Sequence, residues 1–346
     1  MSDTPRIFVT GGSGYLGGSI VNELVAKHSN WNIVTLVRND QQKKIMLDTY
    51  PKVEVVIGDL DNKEVLLAEA SKADVILQVA SSDHIPGVET IIEGASRRRP
   101  TPAYVIHVGG TGMLHEVPNG YGQPSEKVYH DMADLTEITS LPVEGHVHRD
   151  VDRAVLDAQK RFSVPTAIIC PPLIHGVGTG PIKKRSIQIP YLTETFLKRG
   201  KGFSILEGKN IWDAVHIRDL VDAFILLAEE AVKPNGGDAQ WGQKGYYFVE
   251  AQAFNWGAVA AAISKSLYDQ GAIKSTQVDQ LSVEDAVTQH PWAPLLWGGN
   301  CRSAADRLRR LGWKAKKGDI FASLPSMVAE EVKNLGAQNA TLTFDH

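Results

Sequence analysis

A short apolar segment, Arg6-Ile7-Phe8-Val9-Thr10, runs directly into Gly11-Gly12-Ser13-Gly14-Tyr15-Leu16-Gly17, and this junction constrains the chain more than any other stretch. An apolar, β-branched run closed by glycines predicts a buried strand. From Gly17 to His28 the apolar residues Ile20, Val21, Leu24 and Val25 share one helical face, and Lys27 and His28 suit a helix C-terminus. Gly11, Gly14 and Gly17 therefore show G-x-x-G-x-x-G spacing at a strand-to-helix turn. Gly11 permits the tight turn, Gly14 lets a pyrophosphate approach the backbone, and Gly17 lets the helix lie close on the strand. The first helical turn offers free N–H donors and a positive dipole end to phosphates. Ser13, Tyr15 and Leu16 belong to the same predicted cradle. A glycine turn without a ligand is the plainer alternative; its place on the first strand and first helix favours binding.

Short β-branched runs recur at Ile33 to Val37, Val53 to Ile57, Val75 to Val79, Tyr104 to Val108 and Thr166 to Ile169, separated by helix-like segments. That alternation predicts an α/β fold, a Rossmann-type doubly wound parallel sheet. After Pro171-Pro172 the composition changes. Gly176 to Ser186 reads as a loop at the mouth of a cleft, Tyr191 to Arg199 as a helix, Ala214 to Ile217 as one more strand, and Asp219 to Ala231 as a helix. From about Trp256 the chain reads as mostly helical. The expected division is a dinucleotide-binding domain over 1–175, with a returning strand and helix at about 212–232. A smaller, mainly helical substrate domain takes 176–211 and 233–346.

The tip of the second strand selects the dinucleotide. An acidic residue there binds the ribose 2′-hydroxyl of NAD, whereas a cation accommodates the 2′-phosphate of NADP. Here the strand ends Val37-Arg38-Asn39, with Lys43 and Lys44 close behind and Asp40 two residues after Arg38. Arg38 forking onto the phosphate favours NADP over NAD.

At this point the residues resemble the extended short-chain dehydrogenase/reductase superfamily, also called the NAD-dependent epimerase/dehydratase family. Beside the glycine loop, Gly58-Asp59-Leu60 resembles the family's loop after strand three, and Val79-Ala80-Ser81 its segment after strand four. Val215-His216-Ile217-Arg218-Asp219-Leu220, Ser303-Ala304-Ala305-Asp306 and Leu311-Gly312-Trp313 resemble later landmarks, in the right order. The resemblance implies that Asp59 and Leu60 meet the adenine, Ala80 and Ser81 lie beside the ribose, and Pro171 contacts the cofactor. The Val37-Arg38-Asn39 segment is most similar to the dihydroflavonol-reductase-like branch, which uses NADP.

The family's catalytic groups are a Ser or Thr after strand five and a Tyr-x-x-x-Lys pair on the next helix. Thr111, in Val108-Gly109-Gly110-Thr111-Gly112, fills the first position, but no Tyr-x-x-x-Lys follows. Counting back from Cys170-Pro171-Pro172 places His148 at the lysine position and Glu144 at the tyrosine position; a frame shifted by one turn gives His148 and Asp152. His148 is thus expected to hold the ribose or act as acid/base, since imidazole ordinarily titrates near neutrality. Tyr129 supplies a second candidate proton donor. The alternatives are a polar helix-start cluster at His148 and simple packing at Tyr129.

Other chemistries fare poorly. His146 and His148 are two apart, not four, and no cysteines accompany them, so no metal site is expected. Gly109 to Gly112 lacks the serine of a nucleophile elbow, and Cys170 reads as a small buried apolar residue. The 346 residues carry 36 Lys+Arg against 40 Asp+Glu, a formal charge of −4, which argues against a nucleic-acid partner. Two cysteines, no apolar N-terminal run and no bilayer-length apolar stretch point to a cytoplasmic, non-membrane protein. The expectation is an NADP-dependent reductase acting on a carbonyl or imine of a small metabolite, with a homodimer left open. The alternatives are a non-catalytic NADP sensor and a nicotinamide-recycling epimerase or dehydratase.

Overall fold

The computed structural model describes residues 4–342; Met1 to Asp3 and residues 343–346, the ends of the two expected domains, lie outside the described residues. Four βα units open the chain: β1 (Arg6–Thr10) and α1 (Tyr15–Lys27), β2 (Asn32–Val37) and α2 (Asp40–Thr49), β3 (Glu54–Ile57) and α3 (Lys63–Ala70), β4 (Val75–Gln78) and α4 (Ile85–Arg97). After β5 (Tyr104–Val108) an excursion carries β6 (Tyr129–His130) and α5 (Leu135–Ser140), and α6 (Arg149–Phe162) leads back into β7 (Thr166–Cys170). Next come β8 (Leu173–His175), α7 (Gln188–Arg199), β9 (Gly202–Ile205), β10 (Ile211–His216) and α8 (Ile217–Ala231). The last third holds β11 (Tyr246–Phe248), β12 (Gln252–Asn255), α9 (Trp256–Asp269), β13 (Val278–Leu281) and α10 (Val283–Gln289). It ends with β14 (Ser303–Ala304), α11 (Asp306–Arg310) and α12 (Ile320–Leu342).

Seven parallel strands form the main sheet in the order β11-β7-β5-β4-β1-β2-β3. Sequence order reverses between β1 and β4, the point where open α/β sheets leave a crevice at their strand C-termini. Both faces are covered by helices, so the central strands are apolar throughout: Ile7, Phe8 and Val9 of β1 and Val75, Ile76 and Leu77 of β4 are fully buried. The doubly wound sheet expected from the alternating pattern is present.

Two assignments need correction. Ala214 to Ile217 was expected as a returning strand of the dinucleotide-binding domain, but β10 lies in a second, three-stranded sheet between β8 and β12. The cause is local: the chain leaves the main sheet at Pro171-Pro172, forms β8 immediately, and β10 pairs in parallel with β8. The seventh strand of the main sheet is instead β11, drawn from the expected substrate domain, which pairs with β7. The helix after β10 does return: α8 packs against α1, and Lys27 and His28 make ion pairs with Asp222 and Glu229. Among the described residues no helix is long and apolar enough to cross a membrane.

Asp131 pins the late strand in place. It is fully buried; its Oδ2 accepts from Phe248 N and its Oδ1 from Arg307 N, both at 3.0 Å, while the Arg307 guanidinium donates to the Asp131 and Tyr246 carbonyls. Burial pushes its carboxyl up to about 7, against the pull of those two backbone donors. Asp131→Ala should therefore cost about 2–4 kcal/mol, because two buried N–H groups lose their acceptor. Denaturant unfolding checks this, and a loss below about 1 kcal/mol would show that solvent replaces the carboxylate.

Candidate active site

The glycine loop is shaped by close contacts on three sides, two of them with backbone. Gly11 has φ +71°, and a Cβ there would lie 2.7 Å from Ala80 Cα, so this turn presses directly against the end of β4. A Cβ at Gly12 would meet Thr35 Oγ1 at 1.8 Å, and one at Gly17 would meet the Gly11 carbonyl oxygen at 2.2 Å. Gly14 differs: its Cβ would meet only Gly11 O, at 3.0 Å. Gly14 is also the N-cap of α1, with no side chain capping the helix and no acidic residue in its first turn. An uncapped helix start is what an anionic group needs. Ser13 and Leu16 are buried beneath the loop. The Tyr15 hydroxyl donates to Gly176 O at 2.7 Å, and Thr179 N donates to Ser19 Oγ at 3.1 Å, so the 176–180 segment lies over the start of α1.

The remaining dinucleotide-binding candidates line the same edge of the sheet. Arg38 is exposed at the tip of β2; its guanidinium makes no hydrogen bond or ion pair to any described residue, while Asn39 caps α2. Asp59 is exposed, but its Oδ1 already accepts from Asp61 N and Asn62 N, which fixes the loop after β3. Leu60 is half-buried against the start of α4, Ala80 is exposed beside Gly11, and Ser81 Oγ accepts from Asp83 N. Pro171 is buried, and its carbonyl accepts from Thr111 N at 3.0 Å, tying the end of β7 to the turn after β5.

Of the three catalytic candidates, Thr111 lies between Gly110 and Gly112, which both border the His148 ring, but its hydroxyl is turned away, and Tyr129 stands apart. Thr111 is fully buried and its Oγ1 accepts from Cys301 Sγ at 3.0 Å, so its hydroxyl faces the interior. Tyr129 lies on β6, paired with β14, under the Lys127 ammonium at 4.5 Å; no described hydrogen bond or ring contact joins it to His148. His148 is the N-cap of α6 in a left-handed conformation, φ 68° and ψ −12°. Helix α6 starts at Arg149, so Glu144 is an exposed loop residue and the frame pairing it with His148 has no common helix. Asp152, the partner in the shifted frame, is completely buried. Both frames lack the standard pair.

His148 instead has a partner outside its own element. Its Nδ1 lies 2.5 Å from Asp83 Oδ1, on the loop after β4. Burial works to raise the Asp83 carboxyl, but the hydrogen bond and charge of His148, with the Ser82 hydroxyl, carry it below the ordinary carboxylate range. An ionised carboxylate only accepts, so Nδ1–H donates. The other ring nitrogen, Nε2, has no described partner and lies 3.0 Å from where a Gly110 Cβ would be. Glycine at 110 thus leaves room for an imidazole edge at the C-terminal end of β5.

Beneath this edge the groups are neutral or locked. Burial drives His107, on β5, down to about 3, and its Nδ1–H donates to Gln78 Oε1 at 3.2 Å. Tyr246 OH donates to Asp152 Oδ2 at 2.8 Å, and Cys170 Sγ donates to Tyr246 OH at 3.0 Å. Burial pushes the Cys170 thiol and the Tyr246 phenol well up, so Cys170 is not a reactive thiolate. The fully buried Arg149 donates to the Leu141 and Thr139 carbonyls and holds the loop before α6. Asp83 and His107 carry no local sequence signal: one ends a loop and the other reads as a strand residue. Only the register pairing His107 with Gln78 reveals their proximity.

Residues 3–105 match the NmrA-like family. An oxidase from an Acremonium species, ucsJ, is 32% identical, covering 96% of this chain and 99% of its own length. A farnesyl-dihydroquinoline-oxide ketoreductase from Stigmatella aurantiaca is 24% identical over 65% of this chain and 64% of its own. Among solved structures, dTDP-glucose 4,6-dehydratase from Bacillus anthracis superposes with a TM-score of 0.67 at 16% identity, covering 96% of this chain and 97% of that one.

The glycine contacts generate a paired prediction. Gly17→Ala should destabilise the protein by about 1–3 kcal/mol, because its clash is with backbone that cannot swing away. Gly14→Ala, whose Cβ would approach the same carbonyl only to 3.0 Å, should cost less, about 0.5–1 kcal/mol. Equal effects in thermal or urea unfolding would show that the two positions are equally confined.

Proposed function

The chain belongs to the same family as the Acremonium oxidase, and on that premise we propose that it is an NADP-dependent oxidoreductase of the extended short-chain dehydrogenase/reductase type, reducing a carbonyl or imine of a small metabolite. The observation that carries this reading is one edge of the sheet holding both an uncapped glycine cradle and an imidazole with a free Nε2. The cradle at Gly11, Gly14 and Gly17 fits a pyrophosphate, Arg38 a 2′-phosphate, and Ala80, Ser81 and Pro171 the ribose and nicotinamide side. When bound in that cradle, a reduced nicotinamide would supply the hydride for the carbonyl carbon. As the carbon–oxygen electron pair moves onto oxygen, the doubly protonated ring of His148 would give up its Nε2 proton and stay protonated on Nδ1, and solvent would restore the Nε2 proton afterwards. A histidine here takes over the role of donor that the family gives to tyrosine, with Nδ1 held by Asp83 and Nε2 left for the substrate. Thr111 and Tyr129 stay outside this step. A pure sensor would have no use for an imidazole held in this way.

Two outcomes test the assignment. Arg38→Ala should weaken NADPH by about 1.5–3 kcal/mol, the scale of one charge-assisted contact, and leave NADH nearly unchanged by calorimetry. Equal losses, or a wild type preferring NADH, would remove the NADP reading. His148→Gln should lower NADPH-dependent turnover of an aldehyde, diketone or cyclic-imine panel by roughly 10²–10⁴-fold while weakening NADPH by only about 1 kcal/mol. Retained turnover would exclude His148 as the donor.

A further inference from the structure

We infer that Asp83 is a positioning residue that holds the His148 imidazole by its Nδ1 proton and directs Nε2 to the reacting atoms, an inference that rests on the acid/base role proposed for His148. Three features of the fold support it. First, the carboxylate is fully engaged and oriented: Oδ1 takes the His148 Nδ1 proton at 2.5 Å, Oδ2 accepts from Ser82 Oγ at 2.8 Å, and its own N–H donates to Ser81 Oγ at 3.1 Å. Ionised in this way, Asp83 fixes one ring orientation and favours the doubly protonated imidazolium, and once Nε2 has given its proton the neutral ring keeps the other on Nδ1.

Second, the loop that carries Asp83 is set from inside the sheet. Val79 N donates to Thr10 Oγ1 at 3.2 Å, and Gln78 Nε2 donates to the Ser81 carbonyl at 3.1 Å while Gln78 Oε1 takes the His107 proton. The carboxylate is thereby placed by the register of β4 between β1 and β5, not by a mobile loop. Third, His148 is held in a left-handed backbone conformation, uncommon and costly for a residue with a Cβ. The Asp83 bond compensates that cost.

The charged and titratable groups facing His148 come from three elements: Asp83 from the loop after β4, His107 from β5, and Arg149 and Asp152 from α6. His107 is neutral, and Arg149 lies 3.8 Å from the buried Asp152. Asp83 is therefore the carboxylate that bonds the ring, and removing its charge should lower the imidazole's proton affinity.

The test uses the full chain without cofactor and follows the histidine ring signals by NMR, with the His148 signal identified by its loss in His148→Gln. In Asp83→Asn, which is exposed and keeps its shape, the His148 titration midpoint should fall by about 1–2 pH units. The high-pH limb of NADPH-dependent turnover on the same carbonyl panel should move down with it, and kcat should fall more than KM rises. An unchanged midpoint, or lost turnover with an unmoved pH profile, overturns the role of Asp83 while leaving His148 as donor. Full turnover in His148→Gln removes the donor assignment and Asp83's role with it, whatever the titration shows.

Discussion

The close approach of Gly11 to the end of β4 is the constraint on which the site depends. Without a side chain at 11, the turn leaving β1 rests against Ala80, and without one at 17 the start of α1 rests on the Gly11 carbonyl. Backbone therefore packs on backbone at the point where the strand order reverses. Because all seven strands are parallel, the segments leaving β4, β5 and β7 emerge on that same edge. Ala80 to Asp83, Gly109 to Gly112 and Pro171 are neighbours for this reason, although nearly ninety residues separate the first from the last.

Burial then sorts the ionisable groups. Those inside the sheet lose their charge or are tied up: His107 is neutral, the Cys170 thiol and Tyr246 phenol stay protonated, and Arg149 is spent on loop carbonyls. At the solvent edge, on the loop after β4 and at the start of α6, Asp83 keeps its charge and His148 keeps a free nitrogen. Proton transfer is possible only on the wetter side of that boundary, since a buried group pays the cost of charging in full.

Much of this was legible in the sequence because it rests on short-range patterns. The strand–glycine–helix junction, the β-branched runs at 33–37, 75–79 and 104–108, and the cation at 38 each announce themselves within a few residues. Long-range pairing was not legible. Tyr246 to Phe248 is three residues long, too short to distinguish from a loop, and joins the main sheet only because Asp131 and Arg307 hold it there. The Ala214 run reads as a strand, but its sheet was decided by β8, which forms immediately after two prolines. Thr111 had the right place after strand five, yet whether its hydroxyl faces a substrate or Cys301 depends on a contact 190 residues away.

The missing Tyr-x-x-x-Lys pair follows from where α6 begins. That pair needs two residues one turn apart on a single helix, whose spacing fixes their relation regardless of the rest of the fold. Here the helix starts at Arg149, immediately after His148, so nothing one turn earlier can share its geometry, and Asp152 one turn later points into the core. A residue at the very start of the helix can be oriented only from across the crevice. Asp83 does this, and its position is set by the pairing of Thr10 with Gln78 and of Gln78 with His107. In the proposed reaction the relation between donor and orienter thus passes from helix spacing to sheet register. A change that slipped β4 against β1 or β5 would separate the two while leaving α6 untouched.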